Sequence, residues 1–436
     1  MRIMAMTAEL SLPDRQDRPH AAGGRSGLRS GAMLFALFLV SAFAQIDRIL
    51  PFILAESIKA ELSLSDTQMG LITGVAFAIC YTVFSLPLAR ASDRGSPRFV
   101  LIACMLVWSA MTALGGLATG FLFLAFTRFG VALGEAGAVP AGHALIARRI
   151  RPERRGLAIG IFSMGIPLGT MAGFGIGGAI DDTLGWRVAL VGAGAIGGLI
   201  AFFVWLVAGP TPPARRAPAG ATSFLRSSLD LLASQPFRWL FIAAIVVGFA
   251  AGPFYVFAPP FLIRTFGYSA GEAGLAFGLL QGAMGIAGTL LGGRGFDRAV
   301  RTGRGGMLRK PAILFLFAAV TTTAALFSPI GWVSIALLVP AMFSFAYMLP
   351  WAFGTAHRVA GPGREAMASS LGMVGSSLLG PAFGPLFVGI VSDAATAADI
   401  PNGLALGLLI VPAASALAGL VYLIADRRLA AMPPQG

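Results

Sequence analysis

Charge is what this chain has least of. Asp, Glu, Lys and Arg make up 12% of its 436 residues, about half the share usual in soluble domains. So few charged side chains cannot cover a globule, which excludes a soluble fold. Cysteine is scarcer still. Cys80 and Cys104 are the only two, both in apolar runs, and they exclude a disulfide framework or a cysteine-rich metal site. With three histidines, no H-E-x-x-H pair and no G-x-S-x-G elbow, a membrane-embedded hydrolase or acyltransferase lacks its nucleophile and base. No G-x-x-x-x-G-K-[ST] loop is present either, which excludes a nucleotide-driven pump. Neither an enzyme nor a cofactor or metal is expected.

What is abundant is apolar sequence, 56% before the 57 glycines are counted, against ~45–50% with glycine included in soluble domains. Runs long enough to cross ~30 Å of hydrocarbon recur at about 31–54, 67–88, 99–118, 121–146, 156–180, 187–209, 238–262, 272–292, 311–328, 332–354, 366–391 and 403–424. The ~10-residue alternating segments of a membrane barrel are missing. The fold class expected is an all-α polytopic membrane protein of twelve helices.

A net charge of +13 would point a soluble chain toward nucleic acid; its placement here does not. Of 32 Lys and Arg, 27 fall in the N-terminal tail, the even-numbered breaks and the C-terminus. Only Lys59, Arg187 and Arg264 lie in the other breaks, and Arg48 and Arg128 lie within helices. The basic loops mark the cytoplasmic side, so both termini are expected there, in a cell membrane (a bacterial inner membrane). The organisation expected is a disordered tail (1–30), a six-helix bundle (31–209), a cytoplasmic linker rich in Pro, Ala, Ser and Arg (210–237), a second bundle (238–425) and a short tail (426–436). An internal repeat supports two parallel halves. Ala89-Arg-Ala-Ser-Asp93-Arg94 and Gly293-Arg-Gly-Phe-Asp297-Arg298 follow even-numbered helices 204 residues apart. Arg155 and Arg364, 209 apart, open glycine-rich helices. Two halves with a site between them describe a transporter.

The loop Asp93-Arg94-Gly95 resembles the signature loop of the major facilitator superfamily, with Ala89 where glycine is usual. Three stretches resemble its spinster-like branch. They are Asp47-Arg48 followed by Ser63-Leu-Ser-Asp66-Thr67-Gln68-Met-Gly70; Arg128-Phe-Gly-Val-Ala-Leu-Gly134-Glu135-Ala136-Gly137; and Pro152-Glu153-Arg154-Arg155 with Ser163-Met-Gly165-Ile-Pro167-Leu-Gly169. The resemblance implies proton-linked transport carried by the first-helix Asp-Arg pair and the fourth-helix Arg and Glu. Animal members of that branch move lysophospholipids or sphingoid phosphates.

Depth in the apolar runs marks the same residues. Asp47, Arg48, Arg128 and Glu135 are the charges that sit well inside the apolar runs, where each costs ~2.5–3.5 kcal/mol and persists only if paired or facing water. Arg128 and Glu135 are seven residues apart, on one helix face, while Asp47 and Arg48 differ by ~100° and cannot both point one way. Burial favours the neutral form of a carboxylate and a nearby arginine favours the charged form. Relative movement of the two therefore controls proton binding, at either Asp47 or Glu135. A static salt-bridge cluster locking the two helices is the competing reading. The repeated pairs Asp93-Arg94 and Asp297-Arg298 are expected at a gate, where an aspartate can cap a helix N-terminus of the other half, or else serve only as topogenic charge. Glycines 160, 165, 169, 173 and 177 permit close helix approach, and Gly380-Pro381-Ala-Phe-Gly384-Pro385 is expected to kink its helix. His143 and His357 are given no role.

The second half has no charge at membrane depth but offers Tyr255, Phe257, Gln281, Tyr347 and Trp351, which with Arg48 are the expected cavity residues. A charged wall facing an apolar one fits an amphipathic solute or lysolipid whose movement is coupled to protons, carried by a monomer in the bilayer. A drug or organic-anion exporter of the same fold is the alternative, and a non-transporting receptor a more distant one. No nucleic-acid partner is expected.

Overall fold

Hydrocarbon offers a peptide group no water to bond, so a crossing segment must satisfy its own backbone. In the computed structural model, which describes residues 23–151, 154–209, 224–302, 306–361 and 364–430, helix is the only regular structure among those residues. Among the described residues, twelve helices are long and apolar enough to cross a membrane: spans 1 to 12 are Ser30–Ile53, Asp66–Ser92, Pro97–Gly115, Phe121–Arg149, Leu157–Leu184, Trp186–Val207, Gln235–Phe266, Ala270–Thr302, Arg309–Leu326, Gly331–Ala360, Met367–Ala397 and Gly403–Ala430. Each contains one of the expected runs or most of it. Helix already begins at Gly23, inside the stretch read as a tail, and the linker stretch holds a helix at Phe224–Ala233. The remaining parts of the tails and linker, 1–22, 210–223 and 431–436, lie outside the described residues.

Local chemistry sets the helix starts. Ser96 accepts a hydrogen bond from the Phe99 N–H with Pro97 in the first turn, where a missing N–H costs nothing. Ser65 and Gln68 form a capping box at the start of span 2, satisfying two orphan N–H groups reciprocally. In span 11, where a kink is expected, the residues before Pro381 widen into a π-turn, Gly375–Leu379, a local device frequent at functional sites inside helices. A second π-turn, Leu71–Val75, lies in span 2.

Glycine then sets the packing. Four glycines of the stripe on span 5, Gly165, Gly169, Gly173 and Gly177, face span 1, where a methyl at Gly165 would lie 2.6 Å from the Ala42 nitrogen and one at Gly173 3.1 Å from the Ile49 side chain, while Gly160 faces open space. Large apolar side chains such as Phe99, Leu122 and Trp332 are exposed on the outside of the bundle, as a lipid-facing belt requires. Between the halves, spans 5 and 8 meet where Gly274 abuts Phe174, and spans 2 and 11 meet where Gly70 abuts Pro385. Both seams lie toward the face opposite the termini, because span 1 starts and span 12 ends on the other face. The halves are thus joined at one end, with a cavity between them.

Within the first half, Gly134 packs against span 3, where a methyl would lie 2.7 Å from the Cys104 carbonyl oxygen and 2.8 Å from the Trp108 nitrogen. Backbone cannot yield as a side-chain tip does, so Gly134→Leu is expected to cost at least ~1–3 kcal/mol through overpacking. Thermal unfolding of the purified protein in detergent checks this; the midpoint should fall by several degrees.

Candidate functional site

The four intramembrane charges meet. Arg48 donates to Glu135 Oε2 from Nη2 at 2.8 Å and from Nε at 3.2 Å, joining spans 1 and 4. The Glu135 side chain is 1% exposed and that of Arg48 38%, so the arginine links a buried carboxylate to open space. The ~100° offset sends Asp47 the other way, into the protein. It is fully buried and accepts a hydrogen bond from Thr112 Oγ1 of span 3 at 2.9 Å. Arg128 is 5% exposed. Its nearest polar contact is a long one, 3.5 Å from Nη1 to the Asp47 backbone carbonyl, and no carboxylate among the described residues pairs with it. Asp47 Oδ1, Glu135 Oε1 and Arg128 Nε are buried without a hydrogen-bond partner. Orphaned polar atoms at this density are uncommon in folded proteins, and each is a place where a proton or a ligand atom can be received.

Two aromatic rings hold the guanidinium groups. Arg48 lies 5.1 Å from the centre of Phe77 and 5.2 Å from that of Tyr81, and Arg128 lies 5.5 Å from Phe77. Ring faces attract cations most where water is scarce, and these two come from span 2, beyond its π-turn.

Arg48, Arg128, Phe77 and Tyr81 form one wall of a cavity of about 420 Å³ between the halves; Tyr255, Val256, Met373 and Leu378 belong to the opposite wall. Of the residues expected there, Arg48 and Tyr255 line it. Gln281 is buried behind that wall and donates from Nε2 to the Tyr255 hydroxyl at 2.6 Å, with its own Oε1 unpartnered. Phe257 is buried in the second half. Tyr347 stacks on Trp351 at 6.1 Å, and Trp351 packs edge-on against Phe296. These three therefore lie away from the central cavity. A smaller apolar chamber of about 70 Å³, bounded by Phe241, Phe345, Met348 and Tyr422, opens within the second half.

The loops read as a gate lie at the other, parted end. Arg94, Asp297 and Arg298 are exposed and have no side-chain partner among the described residues, while the Asp93 side chain lies outside them. Arg148 of span 4 donates to the carbonyls of Ser92 and Gly95, both at 2.8 Å, and so ties down the end of span 2.

A polar network that no sequence pattern marks joins the halves. Asp66, 2% exposed, accepts from Arg264 Nη1 of span 7 at 2.7 Å, from Ser392 of span 11 at 2.7 Å, and from Lys59. Arg264 also bonds Glu56 from Nε at 2.6 Å. Asp66 stands in one of the stretches that resemble the spinster-like branch, but as a break residue it carried no depth signal.

Residues 33–385 match the Major Facilitator Superfamily. The chain belongs to that superfamily. It is 35% identical over 412 residues to an MFS-type efflux pump of Mycolicibacterium smegmatis, covering 92% of this chain and 93% of the pump. It is 28% identical over 363 residues to protein spinster homolog 3 of Danio rerio, covering 76% and 70%. Its fold matches the crystal structure of a bacterial homolog to the human lysosomal transporter Spinster, in an inward-facing and unoccupied conformation, with TM-score 0.83, 28% identity and coverage of 93% and 99%. This superfamily member is accordingly a multi-pass membrane transporter with spinster-like relatives, not an enzyme.

Because Glu135 is buried and Arg48 is its ion-pair partner, Arg48→Ala should destabilise the transporter by roughly the lower end of ~3–5 kcal/mol, since the arginine is partly exposed. Adding Glu135→Gln to that variant should recover most of the loss by removing the unpaired charge. Thermal midpoints of the two variants measure both effects.

Proposed function

We propose that this chain is a proton-coupled secondary transporter working by alternating access, and that it moves an amphipathic organic solute with an anionic or zwitterionic head. The observation that carries the reading is the cavity between the halves: an arginine ion-paired to a buried carboxylate on one wall, apolar side chains and a tyrosine on the other. Arg48 presents a planar fork to a carboxylate or phosphate that lysine cannot reproduce. A ligand anion there competes with Glu135 for the guanidinium, so binding and proton uptake by the released carboxylate are linked. Asp47 is the second proton site. It has an unpartnered oxygen and no arginine bonded to its carboxyl, and it lies one residue from Arg48 on the same helix.

Positive-inside loops assign the parted end to the cytoplasm, with both termini there, in a bacterial inner membrane. The conformer is then open inward, as in the Spinster homolog. Each chain carries both halves and a complete cavity, so it acts as a monomer. A second reading, export of drugs or organic anions in exchange for protons, is favoured by the likeness to the mycobacterial efflux pump; it uses the same carboxylates and differs in cargo.

Neutralising Asp47→Asn or Glu135→Gln is expected to leave substrate equilibrating passively while abolishing uphill accumulation driven by a pH gradient in proteoliposomes. If both variants still concentrate substrate, proton coupling through these groups is wrong. For the cargo, affinity across a homologous series of single-chain phosphates should rise about fourfold per methylene, at ~0.8 kcal/mol each, until the cavity is filled. Arg48→Lys should weaken the whole series while sparing neutral ligands of similar size. A flat dependence on chain length, with small polar solutes or anions bound best, would favour the exporter reading or a sugar-like cargo.

A further inference from the structure

The closed end of the molecule repeats one arrangement twice, once on each seam. Ser65-Asp-Thr-Gln68 begins span 2 and Ser269-Ala-Gly-Glu272 begins span 8, 204 residues later. Both are capping boxes. Ser65 and Gln68 bond each other's N–H groups, and so do Ser269 and Glu272, at 3.0 and 3.1 Å. A capping box serves the N–H groups of the cap and of the third helical residue. The first and second helical N–H groups remain without a partner of their own.

In each case the other half supplies a partner. Asp393, near the end of span 11, accepts from the N–H groups of Asp66 and Thr67 at 2.9 and 2.8 Å, and from the Thr67 hydroxyl at 2.5 Å. Asp182, near the end of span 5, accepts from the Gly271 N–H at 2.8 Å and the Ser269 hydroxyl at 2.6 Å. The two aspartates end a second repeated segment, Gly178-Ala-Ile-Asp181-Asp182 and Gly389-Ile-Val-Ser392-Asp393, 211 residues apart. Its glycines bring the backbones together: a methyl at Gly389 would lie 2.7 Å from the Thr67 Cα, and one at Gly178 3.0 Å from the Gly271 nitrogen.

We infer that Asp393 and Asp182 are paired latches of the outer gate, each capping a helix of the opposite half and released when the halves part at that end. This rests on the alternating-access reading. A carboxylate at a helix N-terminus gains from both the free N–H groups and the positive end of the helix dipole. Each bond crosses between halves, so none survives separation, and the four orphan N–H groups at each helix start then depend on the capping box and water alone. The latches are unequal. Asp393 makes three bonds, is half-buried and lies beside the Asp66–Arg264 network, whereas Asp182 makes two and is exposed. The Asp393 latch is therefore the stronger of the two.

Spin-label pairs on the full-length transporter in lipid nanodiscs test this, with Thr119→Cys and Ala398→Cys across the outer end and Ser96→Cys and Arg301→Cys across the other. Loss of a cap shifts an equilibrium by about fivefold to thirtyfold. Asp393→Ala should raise the ratio of long to short outer distances toward the upper end of that range, and Asp182→Ala toward the lower end. Glu272→Ala removes a cap within one half and should lower the thermal midpoint without moving the ratio. Unchanged outer distances in both aspartate variants overturn the latch, as does an equal shift in Glu272→Ala, which would mean that helix capping alone matters. If the wild type never exchanges short for long at the two ends in opposite sense as the buffer goes from acid to neutral, alternating access itself fails, and the latch with it.

Discussion

Taking a charge out of water is the constraint on which the rest of this structure depends. Four charges lie at membrane depth, and the first half is arranged around their needs. Arg48 reaches Glu135 between spans 1 and 4, Thr112 answers Asp47 from span 3, and Phe77 lies under both guanidinium groups from span 2. Hydrophobic packing would join these helices with less desolvation. The charged cluster instead leaves three buried polar atoms, Asp47 Oδ1, Glu135 Oε1 and Arg128 Nε, without a hydrogen-bond partner.

The second half obeys the opposite rule. With no charge at depth among its described residues, its core is a run of aromatic contacts, including Phe254 against Phe277 and Phe345. An apolar wall facing a charged one gives the cavity between the halves two unlike sides.

Where the halves touch, the device is again one of satisfying polar groups, this time those of the backbone. Helix starts have N–H groups that nothing in their own helix can bond. Those of spans 2 and 8 are completed from across the seam, with glycine allowing the approach. Contacts of this kind are specific in register and individually modest.

The internal repeat was visible in sequence in part. The Asp-Arg loops at 93–94 and 297–298 stood out because consecutive charges after an apolar run are easy to see. In this conformer they lie on the parted face, while the joined face uses Asp182 and Asp393. Those aspartates fall within the last turns of spans 5 and 11, which extend beyond the apolar runs that mark them, so a hydropathy reading ends too early to include them. Arg264 and Asp66, 198 residues apart, look like unrelated loop charges until folding brings spans 2 and 7 together. The aromatic residues of the second half show the converse. Phe257, Tyr347 and Trp351 have the right chemistry for a cavity wall, but a helix presents several faces, and composition does not say which one turns inward.

The sequence by itself therefore determined the class, the number of crossings and the four charges at membrane depth. Each follows from the cost of placing a polar group in hydrocarbon, a cost that acts residue by residue. The tertiary structure decided which charges pair, which aromatics line the cavity, and which end is shut. Those depend on distances between segments hundreds of residues apart, and no local free-energy cost records them.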